Sequence, residues 1–223
     1  VDRPAAPTRP TPAPVGVSAG DEGSAALVPN ETPFDRPRRR LDIDQLATAM
    51  KQVSGGIGWT ERRGNRDVDL FEELSSTLGK PDYVQNTEED LEPTILFQKF
   101  LDDASRSVCA RLLEADLDAL AEEAGIAAGE IDPTAEGFVP PRERVLLRHV
   151  DPNKTIAEDP AAVDANLRWL LLRFHGKAIA PDDDVSLANW RWLVKSGAHV
   201  TEPATAWLGV CVALFTHPDF YSY

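Results

Sequence analysis

The chain has 223 residues, with 37 acidic against 23 basic side chains and a formal net charge of -14 at pH 7. A hydrophobic fraction of 42 % is enough for a packed core, and no unbroken apolar run approaches the roughly 18 residues of a membrane-crossing helix. The acid surplus argues against nucleic acid as a partner, and two cysteines are too few for a disulfide-built scaffold.

Composition changes near residue 40. Residues 1–40 run from Pro4 to Pro37 through Gly, Ser, Ala and Thr, with six basic and five acidic side chains, so the acidity lies in the body that follows. Proline lacks the N–H and fixes φ, which rules out a helix interior or a central strand. The segment reads as an extended, partly polyproline arm in front of a helical domain over 41–223. An arm of this kind is expected to have few contacts with its own body and to lie on another chain as a tether or clamp. It is common ahead of exported and lipid-anchored domains, so an extracytoplasmic place, periplasm or cell surface, is expected, and a lipid anchor is compatible with it.

From Leu41 the pattern is helical. Asp42 and Gln45 form a capping box, Leu41 can staple onto Leu46, and the first helix ends at Ser54-Gly55-Gly56. The Gly-rich stretch to Gly58 reads as a flexible loop presenting Trp59. It is not a phosphate loop, because no strand precedes it and no Lys-Ser/Thr follows. A second short helix is expected over Asp67–Leu78, stopped by Gly79 and Pro81. Pro93, after Glu88, Glu89 and Asp90, opens the strongest helix, with Phe97, Phe100, Leu101, Ala104, Val108 and Leu112 at helical spacing. It continues toward Gly125, either as one helix or as two. Residues 126–141 read as loop and 142–150 as a short helix. Asp159-Pro160 opens a helix that stops at Gly176. Asp182, Asp183 and Asp184 open another, which Gly197 stops, and Thr201-Glu202-Pro203 opens the last. No two-residue alternation persists and no βαβ pattern occurs, so the expected fold is all-α, an irregular bundle of about seven helices.

Three segments carry a resemblance. Asn166–Phe174 is similar to a helix of secreted helical domains from planctomycetes and myxobacteria that accompany c-type cytochrome modules. Cys211–Phe220 resembles their closing signature, an apolar helix followed by Pro, an acid and Phe. Pro37-Arg38-Arg39-Arg40-Leu41 resembles their opening Arg-Arg-Leu element. The resemblance implies an extracytoplasmic place and haem-protein neighbours. It carries over no catalytic residue.

The chemistry-bearing residues are sparse. Neither Cys109 nor Cys211 stands in the Cys-x-x-Cys-His motif of covalent haem. Both lie on apolar helix faces, which suits buried free thiols. A Cys109–Cys211 disulfide is the alternative, given an oxidising compartment. His149, His175, His199 and His217 have no zinc-type spacing to one another, to Cys or to a carboxylate. His175 and His217 fall at helix C-termini, where an imidazolium complements the dipole. Asp182–Asp184 lack the alternation and the Gly of a calcium loop and read as helix N-terminal charge. No Gly-x-Ser-x-Gly, Ser-x-x-Lys or His-Glu-x-x-His motif occurs. Catalytic residues, metal ligands and cofactor-binding residues are accordingly expected to be none.

The aromatics are the remaining signal. Trp190 and Trp192 are two apart and cannot share a helix face, so one can fill the core while the other points away. Phe220-Tyr221-Ser222-Tyr223 is aromatic to its last residue. Trp190 or Trp192 together with Phe220, Tyr221 and Tyr223 are the expected partner-binding anchors. The simpler alternative has Phe220 and Tyr221 closing the core and only Tyr223 free. The function expected is a non-catalytic structural or accessory subunit of an extracytoplasmic multiprotein assembly with haem proteins among its neighbours. The alternatives are an enzyme or enzyme-accessory protein whose site is shared with a partner, and a monomeric ligand-binding helical domain.

Overall fold

A computed structural model describes residues 39–78, 80 and 91–223. Residues 1–38 of the expected arm over 1–40 lie outside these residues, as do Gly79, Pro81 and the acidic run before Leu91. Among the described residues the fold is all-α apart from one hairpin. The elements are α1 (Ile43–Val53), β1 (Thr60–Arg63), β2 (Arg66–Asp69), α2 (Leu70–Leu74) with a 3₁₀ turn after it, α3 (Ile95–Ala128), α4 (Pro160–His175), α5 (Asp184–Val200), α6 (Pro203–Thr216) and α7 (Pro218–Tyr221).

The core is built around α6, whose sequence is apolar almost throughout. Trp207, Val210, Cys211, Leu214 and Phe215 are all buried. A helix apolar on every side must be covered on every side, and α3 and α5 supply most of the cover. From α3 come Phe97, Leu101, Ala104, Val108 and Leu112; from α4 come Val163, Leu167, Leu170 and Phe174. α5 approaches α6 closely at Gly197, where a Cβ would stand 2.9 Å from that of Ala206. α3 is one continuous helix of 34 residues, closed by Gly129 in the left-handed conformation. The α1 capping box is present, with Asp42 accepting from the Gln45 N–H at 2.7 Å.

Four local expectations are corrected. Gly197 does not stop α5, which runs past it to Val200. Residues 60–69 form an antiparallel hairpin, with Thr60 opposite Asp69 and Arg63 opposite Arg66, so helix begins only at Leu70. Gly64, at φ +64°, supplies the reversed turn. Asp69 then accepts from the Phe71 and Glu72 N–H groups and starts α2. Trp59 is not presented outward. It is 7 % exposed and meets Phe71 and Phe100 edge-to-face at 5.5 and 4.8 Å.

Residues 142–150 are not a helix but an irregular buried strap. Its backbone is satisfied by side chains of α3 and α4 instead of by a helical ladder. Asp116 accepts from the N–H groups of Val145 and Leu147, each at 2.9 Å. Asn166 accepts from His149 N–H at 3.0 Å and donates to the Leu146 carbonyl at 2.8 Å. Trp169 Nε1 donates to the Val145 carbonyl at 3.2 Å. These bonds free Val145, Leu146 and Leu147 to fill the core.

The two ends of the domain meet. Leu41 N–H donates to the Tyr221 carbonyl at 2.7 Å, and Arg39 and Tyr223 exchange backbone bonds at 3.0 and 3.3 Å. Arg40 is buried with its guanidinium 4.9 Å from the centre of the Phe97 ring and donates to the Leu41 carbonyl at 3.0 Å. The opening Arg-Arg-Leu segment and the closing Phe-Tyr-Ser-Tyr segment are therefore one structural feature.

Candidate functional site

The most chemically loaded place lies where α4 and α6 end and α7 begins. Gly176, at φ +66°, closes α4 immediately after His175. Pro218 cannot continue α6 and starts α7, for which His217 is the N-cap, accepting from Asp219 N–H through Nδ1 at 3.2 Å. The two imidazoles lie with ring centroids 4.9 Å apart, and the half-buried Trp190 of α5 sits 5.8 Å from one and 6.1 Å from the other. Lys177 pairs with the Asp219 carboxylate.

The electrostatics of this corner follow from burial. Burial holds the His175 imidazole below its ordinary range, with the His217 and Lys177 charges acting in the same direction and its bond to Leu214 and the Asp219 charge opposing them. The Asp219 carboxyl is held below the usual carboxylate range, first by its hydrogen bond from Lys177. His175 bonds the Leu214 carbonyl of α6, not the end of its own helix, at 2.9 Å. His217 serves the start of α7 rather than the last carbonyls of α6. The expected dipole roles of the two histidines are thus replaced by a cross-helix bond and an N-cap. Among the described residues, His175, His217 and Asp219 are the group that could hold a metal, with one ligand atom from each within 4.8 Å of the others.

The five aromatics expected to bind a partner separate. Phe220 and Tyr221 are each 7 % exposed. Phe220 packs on Phe215 with ring centroids 4.9 Å apart, and Tyr221 on Phe97 at 5.4 Å, its hydroxyl accepting from Gln98 Nε2 at 2.9 Å. Burial removes these two from the docking set. Trp190 is turned toward the histidines. Trp192, 68 % exposed, and Tyr223, 70 % exposed, face outward. Helical geometry places Trp192 one heptad after the exposed Val185 and opposite the buried Leu187 and Val194, with exposed His199 and Val200 following on the outer side. This outer face of α5 bears no acid between Val185 and Val200.

Cys109 of α3 and Cys211 of α6 are joined by a disulfide spanning 102 positions. Asp183 is the N-cap of α5, accepting from Ser186 N–H at 3.0 Å. An open cavity of about 750 Å³ lies between α3, the 144–153 strap and the start of α6, with Arg144, Arg148 and His149 along its rim. Both guanidiniums there are already engaged: Arg144 with Glu123 and the Leu147 carbonyl, Arg148 with Glu143 and the Trp169 ring.

Neither of two structurally decisive polar positions stands in a recognisable sequence motif. His175 reaches His217 and Asp219 only through the packing of α4 on α6 and α7, so no local ligand motif announces the group. Asp116 did carry a signal. It falls at helical spacing with Leu112 and Ala119, an acid on an apolar stripe, and such an acid must find buried donors. No family model, curated protein or solved structure matches this chain.

Proposed function

We propose that the chain is a non-catalytic structural subunit of an extracytoplasmic multiprotein assembly, and that its helical body docks through the outer face of α5. The observation that carries this reading is Trp192, an indole 68 % exposed on an acid-free helix face of a protein with net charge -14. An exposed Trp is among the residues most often found to anchor an interface, because burying it removes a large apolar area from water. The acid surplus repels further copies of the chain and attracts a basic partner to it. The disulfide between α3 and α6 suits an oxidising compartment. The resemblance to cytochrome-associated domains supports haem proteins as the class of neighbour, with the proline-rich arm as a second attachment. Native mass spectrometry of the particle purified from its own source tests the reading. Wild-type chain is expected in a heteromeric mass, and Trp192→Glu as free monomer with an unchanged melting temperature. A wild-type monomer, or a Trp192→Glu variant that stays assembled, would contradict it.

A further inference from the structure

We propose that His175, His217 and Asp219 bind one divalent transition-metal ion of the zinc class, a site that goes beyond the docking function. One ligand atom of each side chain lies within 4.8 Å of the other two. Two imidazoles and a carboxylate are the donor set that suits such borderline ions.

Proximity is not the only support. His175 Nε2 lies 2.9 Å from the Leu214 carbonyl oxygen, which can only accept, so Nε2 carries the proton and Nδ1 the lone pair. That Nδ1 is buried with no hydrogen-bond partner. A ring N–H held by a backbone carbonyl, with the other nitrogen bare, is the arrangement found in metal-binding histidines. On the opposite side, His217 Nδ1 accepts the Asp219 N–H and lies 3.2 Å from Asp219 Oδ2. An ion taking these two atoms as ligands would displace the Asp219 N–H from the single lone pair of Nδ1. Their separation is close to the roughly 3.3 Å that a tetrahedral ion with bonds of about 2.0–2.1 Å imposes on its ligands. The cation now on Oδ2 is the Lys177 ammonium, at the end of a flexible stem that can swing into solvent. Trp190 covers the two rings. An ion bound here would pin α7 to the end of α4 and so fix the C-terminal turn.

The test uses the full chain, freed of metal with a chelator and titrated with Co²⁺ and then Zn²⁺. One equivalent of Co²⁺ is expected to give the visible bands of a tetrahedral nitrogen–oxygen site. Zn²⁺ should displace it and raise the melting temperature. His217→Ala and Asp219→Asn should each weaken binding by at least the roughly 10- to 100-fold that follows loss of a residue merely supporting a ligand. His199→Ala, outside the group, should bind as wild type. Lys177→Gln removes the competing ammonium and should tighten binding; it also keeps the test decisive if a ligand variant folds poorly. Absence of saturable uptake, uptake unchanged in His217→Ala and Asp219→Asn, or no tightening in Lys177→Gln would each overturn the site.

Discussion

Asp116 shows how one side chain can decide a stretch of backbone thirty residues away. Its carboxylate is fully buried and accepts from Val145 and Leu147, while Arg142 Nη1 stands 3.9 Å off. Burial pushes the carboxyl above its usual range, and the N–H groups of Leu147 and Val145 pull it back. Asp116→Ala would leave two buried donors without an acceptor, at about 1–3 kcal/mol each. That is a large part of the roughly 5–15 kcal/mol by which a domain is stable. Urea unfolding should show the loss, and Asp116→Asn, which keeps one acceptor oxygen, should lose less. His175 sets the pH dependence at the same scale. Its folded pKa is depressed by burial, so the folded state resists a proton that the unfolded chain takes up below about pH 6.5. Its contribution is therefore complete above that pH and is lost as pH falls toward the depressed value. The melting temperature should drop between pH 7 and 5, and His175→Gln should flatten that slope. An equally steep slope in the variant would assign the effect elsewhere.

At the scale of elements, the disulfide ties α3 to α6 across the middle of the core. Closing so long a loop restricts the unfolded chain, and removing such a bond typically costs about 2–5 kcal/mol. The Cys109→Ser, Cys211→Ser double variant should lose stability in that range by denaturant titration while keeping its helical circular dichroism. How legible each element was depended on its punctuation. α4 and α6 could be read to the residue at their starts because Asp159-Pro160 and Glu202-Pro203 are unmistakable openings, and Gly176 is an equally plain stop. The hairpin could not be read, since Thr60–Arg63 and Arg66–Asp69 are charged and mostly exposed, with no apolar alternation to mark a strand. The strap over 142–150 was misread for the converse reason. Its apolar residues suit a helix, but the groups that bond its backbone belong to Asp116, Asn166 and Trp169, elements distant in sequence. The same holds for the histidine corner, where distance along the chain hides a separation of a few ångströms.

For the whole molecule, the proposed docking face is the acid-free outer side of α5 on an otherwise acidic chain. Long-range attraction should bring a basic partner in, and the association rate should fall as salt shortens the Debye length to about 8 Å at physiological ionic strength. Lasting contact of the proposed kind needs desolvated anchors, and of the C-terminal aromatics Trp192 and Tyr223 are exposed while Phe220 and Tyr221 are buried in the core. Site-specific photo-crosslinking from position 192 in cells of the native source tests this most directly, with a control probe at Val139, which is equally exposed in a loop. One discrete heteromeric adduct is expected from position 192 and none from position 139. No adduct from position 192, or the same adduct from both positions, would contradict it.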